Sequence, residues 1–153
     1  MATWTTIQIE DLYDYLCAAQ LSALQNIQLS EWQINPIHEI IDDVTARIRA
    51  EISGNKLNLL SADKTKIPQD LKSCACYIIL ESAQTRLPSL KLTADQIRLA
   101  SDAKDYLKRI AQGEIPVSIP DDAIPNTDFS RNSGCEVIKH RPSTVSSKTL
   151  QGL

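Results

Sequence analysis

Apolar side chains recur at helical spacing along the first 112 residues of the chain and then lose that rhythm. Ile9, Leu12, Tyr13, Leu16 and Ala19 predict a helix over 9–20. Glu10 and Asp11 fall in its first turn, where negative charge suits the helix dipole. Residues 21–27 predict a short further piece. Asn35 reads as an N-cap and Pro36 as a first helical residue, and Ile37, Ile40, Ile41, Val44, Ile48 and Ile52 then form one apolar stripe that runs up to Gly54. A third helix is expected from Pro68 to Arg86. Leu71, Cys74, Ala75, Cys76, Tyr77, Ile78, Ile79, Leu80 and Ala83 leave it little polar face, which marks a helix covered on several sides. Thr93 and Gln96 form a capping box for the last helix. Its apolar side is expected to be Ile97, Ala100, Leu107, Ile110 and Ala111, and Gly113 closes it.

Two segments break the pattern. Residues 54–66 predict a long loop carrying Leu57, Leu59 and Leu60, which are expected to pack on the core or to serve as subunit contacts. From Gly113 onward Pro116, Pro120, Pro125 and Pro142 punctuate a stretch rich in Ser, Thr, Asn and Asp, with one strand-like run, Cys135-Glu136-Val137-Ile138-Lys139. The expected fold is therefore all-α: a small bundle of about four helices at 1–112 and an extended C-terminal arm at 113–153. Fully stretched, that arm could span on the order of 130 Å. It carries more β-branched and aromatic residues than a solvating tail. Phe129, Val137, Ile138, Val145, Leu150 and Leu153 read as anchors for a partner surface.

Composition narrows the function. The chain has 153 residues and a formal net charge of −3, which argues against a dedicated nucleic-acid binder. No apolar run is long enough to span a bilayer, and the N-terminus does not read as a signal peptide. Four cysteines at 17, 74, 76 and 135 match neither a disulfide framework nor a zinc site, and they read as small buried hydrophobes. His38 and His140 lack partners at ligand spacing. Asp42-Asp43 and Asp121-Asp122 read as solvated acids. No phosphate loop, nucleophile elbow or acid–base constellation is present in the sequence, so neither catalysis nor a cofactor is expected. An alternative is a helical DNA-binding or regulatory module, with Arg47, Arg49, Lys64, Lys66 and Lys72 as a basic edge.

The layout resembles the head-to-tail connector adaptors of tailed phages, in particular their Mu-like branch. The resemblance is carried by Ile9-Glu10-Asp11-Leu12-Tyr13-Asp14-Tyr15-Leu16, by the Ile37–Ile52 helix with Val44-Thr45-Ala46-Arg47-Ile48, and by Pro68-Gln69-Asp70-Leu71-Lys72-Ser73-Cys74-Ala75. It continues in Tyr106-Leu107 through Gln112-Gly113-Glu114-Ile115-Pro116 and in the terminal Ser146-Ser147-Lys148-Thr149-Leu150-Gln151-Gly152-Leu153. The resemblance implies a virion neck protein, assembled in the host cytoplasm. It would form a homo-oligomeric ring, typically of twelve subunits, beneath the portal protein, with the arm reaching the portal or the next neck or tail protein. DNA would pass through its channel without specific binding, and no membrane is involved. A tail-completion or stopper protein of the same neck is a further alternative.

Overall fold

The computed structural model describes residues 3–26 and 35–123. The chain is mostly helical: β1 (Trp4–Thr6), α1 (Ile9–Tyr13), α2 (Ala18–Gln25), α3 (Pro36–Gly54), β2 (Lys66–Pro68), a single 3-10 turn (Gln69–Leu71), α4 (Lys72–Arg86) and α5 (Ala94–Ala111). Helices α3, α4 and α5 pack on one another, and α1 lies against α4. The strand-like run at 135–139 and the anchors Phe129, Val137, Ile138, Val145, Leu150 and Leu153 lie outside the described residues.

The long helices start where their caps dictate. Asn35 Oδ1 accepts the Ile37 N–H at 3.0 Å, with Pro36 in the first helical position. All six apolar residues of the α3 stripe are buried, Ile48 and Ile52 completely. The capping box of α5 is closed at both ends. Gln96 N–H donates to Thr93 Oγ1 at 3.2 Å, and Thr93 N–H donates to Gln96 Oε1 at 2.8 Å. At the other end Gly113 takes φ +81, its N–H donates to Ile110 O, and Glu114 N–H donates to Arg109 O. That pair of bonds is a Schellman ending, which requires the left-handed residue that glycine supplies. Gly54 plays a different part. Its φ is not positive, and a Cβ there would meet Ala111 Cβ at 3.4 Å, an ordinary contact, where the ends of α3 and α5 come together.

Four sequence expectations are corrected. The helix predicted over 9–20 is two helices, because Cys17 turns extended and caps α2, with Gln20 Oε1 accepting the Cys17 N–H at 3.0 Å. Pro68 does not begin a helix. It ends β2 with ψ 136, and the helix proper starts at Lys72 after the 3-10 turn. On α5 the expected Ala100, Leu107 and Ile110 are buried, but Ile97 is 42% exposed and Ala103 turns inward in addition. The stretch from Gly113 to Ala123 lies on the body. Ile115 and Val117 pack against the core, and Pro120 is buried.

Core and surface apolar positions should therefore respond differently. Ile48→Ala removes a fully buried side chain and should cost about 3–4 kcal/mol in urea unfolding. Leu57→Ser, at a side chain 76% exposed, should stay within about 0.5 kcal/mol of the parent chain.

Candidate functional site

Arg49 is the side chain around which the chain segments outside the helix bundle converge. It sits on α3 one position past Ile48, and its fork points into the loop that joins α3 to β2. Nη1 donates to Lys66 O at 2.7 Å and Nη2 donates to Ser61 O at 2.8 Å. The guanidinium lies 5.8 Å from the centre of the Trp4 ring, within cation–π range. With only 9% of the residue exposed, burial draws the guanidinium below its ordinary pKa, while the negative charges of Asp63 and Asp122 oppose that shift.

The start of the C-terminal segment is fastened to the same cluster by three bonds. Trp4 Nε1 donates to Ser118 O at 3.0 Å, Ser61 Oγ donates to Asp122 Oδ2 at 2.8 Å, and Ala62 N–H donates to Asp122 O at 3.2 Å. Ser61 and Ala123 form an antiparallel bridge. The Ser61 hydrogen bond holds the Asp122 carboxyl below its usual value of 3.8. The backbone and hydroxyl of Thr65 do the same for Asp63. Asp122 is exposed, as the sequence suggested for a solvated acid, and its carboxylate in addition accepts from Ser61. Its role was hidden because its partners lie about sixty positions away.

The other predicted site residues separate. Leu57 is exposed, whereas Leu59 is half-buried and Leu60 is half-buried against the body's own core. His38 and the pair Asp42 and Asp43 lie on the exposed side of α3. Cys76 is fully buried, and burial pushes its thiol up to about 12; Cys74 is half-buried, and Cys17 is exposed at the start of α2 rather than buried. The proposed basic edge is largely engaged. Arg49 is consumed by carbonyls, Lys72 pairs with Asp11 at 2.7 Å, and Lys66 lies 3.8 Å from Asp63. Burial alone would raise the Asp11 carboxyl, but the Gln8 N–H and the Lys72 ammonium outweigh it and hold it low.

A groove of about 430 Å³ opens between α3, α4 and α5, lined by both signs of charge: Asp43 and Glu81 against Arg86 and Lys104. Its acids and bases largely pair, Glu81 with Lys104 and Arg86 with Glu39 at 2.6 Å. Among the described residues no group of three His, Cys, Asp or Glu side chains could hold a metal, and no helix is long and apolar enough to cross a membrane. No family model, curated protein or solved structure matches the chain. The clasp around Arg49 is accordingly the arrangement with the clearest consequence, because it fastens residues 118–123 to the body.

Two outcomes follow. Arg49→Ala leaves two inward carbonyls without donors and should destabilise the fold by about 3 kcal/mol, with Arg49→Lys recovering only part because an ammonium cannot serve both oxygens in one plane; chemical denaturation measures both. The clasp should also respond to acid. A depressed carboxylate stabilises the fold above its unfolded pKa and loses that contribution as pH falls through the folded value. The Trp4 indole N–H resonance should titrate with a midpoint below 3.8, and Asp122→Asn should abolish much of that shift. A midpoint at or above 3.8 would contradict the assignment.

Proposed function

We propose that this protein is a structural head-to-tail adaptor of a tailed phage, which joins portal to tail as a ring and works by assembly rather than by catalysis. The observation that carries the reading is the fastened root of the C-terminal segment. Residues 113–123 lie along the body and are held at Ser118, Asp122 and Ala123. The sequence beyond them carries apolar residues spaced among prolines. Proline lowers the conformational entropy lost when an extended segment docks. Each apolar anchor buried on a partner would contribute roughly 1.5–3 kcal/mol before ordering costs. The similarity of layout to the connector adaptors supports the same reading.

The engagement of Arg49, Lys66 and Lys72 within the body weighs against the DNA-reading alternative, which needs a row of free cations to meet phosphates. A net charge of −3 suits a channel through which DNA slides.

The test is a deletion. A chain lacking residues 130–153 should keep the helical signal of the full protein, because the clasp ends at Ala123, yet should fail to join purified capsids to tails. Normal joining by the truncated chain would end the adaptor reading. Gel-shift binding to DNA that weakens steeply with salt would favour the DNA-binding module instead.

A further inference from the structure

The small sheet has one sealed edge and one open edge. Its register pairs Trp4 with Pro68, Thr5 with Ile67 and Thr6 with Lys66. Gln69 N–H donates to Thr3 O at 3.0 Å, so Thr3 and Gln69 form a hydrogen-bonded pair. Antiparallel ladders alternate bonded and non-bonded pairs, which makes Thr5–Ile67 the next bonded pair. Lys66 and Pro68 therefore direct their backbone groups away from β1, and Trp4 and Thr6 direct theirs away from β2.

The outward edge of β2 is occupied. Lys66 N–H donates to Asp63 O at 3.3 Å, Lys66 O accepts from Arg49, and Pro68 has no N–H to offer. The outward edge of β1 is free of backbone partners among the described residues; Thr6 O accepts a long 3.4 Å bond from Thr5 Oγ1. Beside the end of β1 lies a crevice of about 190 Å³ that three isoleucines, Ile7, Ile9 and Ile41, share with polar walls from Thr6, Gln8, His38, Asp42, Thr45 and Thr65. Small-molecule sites occupy about 300–1,000 Å³, so this crevice suits a side chain.

An open edge is a template for another strand. We propose that residues 135–139 of one copy add as a strand to β1 of a second copy, seating an aliphatic side chain, Val137 or Ile138, in the adjoining crevice. This rests on the adaptor reading, since it supplies the contact between neighbouring subunits of the ring. The occupant follows from the sequence and from where the described chain ends. Cys135–Lys139 is the strand-like run in the sequence beyond the described residues, and Ala123 is bridged to Ser61, five residues ahead of β2. Residues 124–134 can span on the order of 40 Å, enough to leave one body and meet the next.

The test uses full-length chains. Thr6→Pro removes the outward N–H and leaves the Thr5–Ile67 bonds in place, and Ile138→Pro disables the donor. Each should sediment at monomer mass, while Thr6→Val, which keeps the N–H, should assemble like the parent. Mixed together, the two proline variants should form a one-to-one complex, because the intact arm of Thr6→Pro meets the intact edge of Ile138→Pro. Assembly of Thr6→Pro alone, or no mixed complex, overturns the proposal. If Thr6→Pro loses its helical signal, a synthetic peptide of residues 130–143 added to the Ile138→Pro chain gives the same information. It should shift the Thr6 amide resonance, and no shift overturns the pairing. A ring that forms this way but cannot join capsid to tail would remove the adaptor reading and leave the pairing standing.

Discussion

Ser61 O, in the loop between α3 and β2, and Lys66 O, at the start of β2, both turn toward Arg49, which donates to each. A buried carbonyl without a donor costs about 1–3 kcal/mol, so the loop can close over the body only if something donates to Ser61 O and Lys66 O together. Lysine would concentrate its donors at one point, whereas the planar guanidinium offers two separated N–H groups in fixed directions. Its position on α3 ties this requirement to the helix core. Once the loop is held, Ser61 and Ala62 are placed to grip Asp122, and Trp4 covers the guanidinium face while its indole N–H reaches Ser118. A helix, a loop, the N-terminal strand and the C-terminal segment are thereby fixed by one side chain.

A second polar junction holds the other end of the body. Gln20 Nε2 donates to Lys91 O at 2.7 Å and to Gln96 Oε1 at 2.8 Å, and Gln96 Nε2 donates to Tyr15 O at 2.9 Å. Gln20 is buried, so its amide is acceptable only with its bonds made. The same two glutamines cap α2 and α5, which couples local helix starts to tertiary packing. Between these junctions the α3–α4–α5 core is almost wholly apolar. The arrangement separates tasks: apolar burial supplies stability, and the two polar junctions set where the peripheral segments sit.

What could be read in the sequence follows the range of the forces involved. The starts of α3 and α5 were legible because their caps, Asn35 and Thr93 with Gln96, lie within three residues of the groups they satisfy. The buried α3 stripe was legible for the same reason. The break between α1 and α2 was not, since Leu16 and Ala19 continue the helical spacing while Gln20, bonded across to Lys91 and Gln96, makes Cys17 a new start. Strands of three residues such as Trp4–Thr6 and Lys66–Pro68 carry no periodicity, and Pro68 at the end of β2 imitates a helix opening. Arg49 looked like a surface charge, and the Ser61 contact of the exposed Asp122 was hidden, because nothing local reveals a partner twelve or sixty-one positions away.

The sealed and open edges of the sheet bear on how a segment rooted in this way can serve assembly. In the proposed assembly, fastening the chain at Ala123 sets the length of linker before the pairing segment, and effective concentration falls as a linker lengthens. Rooting at Ala123 rather than at Gly113 removes the residues 113–123 from that linker without adding a contact to the partner. The same fastening occupies the loop beside the outward side of β2, where Asp63, Arg49 and Pro68 already close the edge. An added strand is therefore left with β1. In the proposed assembly the Arg49 cluster therefore has a second effect besides stability: it takes residues 113–123 out of the arm and leaves the β1 edge for the arm to meet.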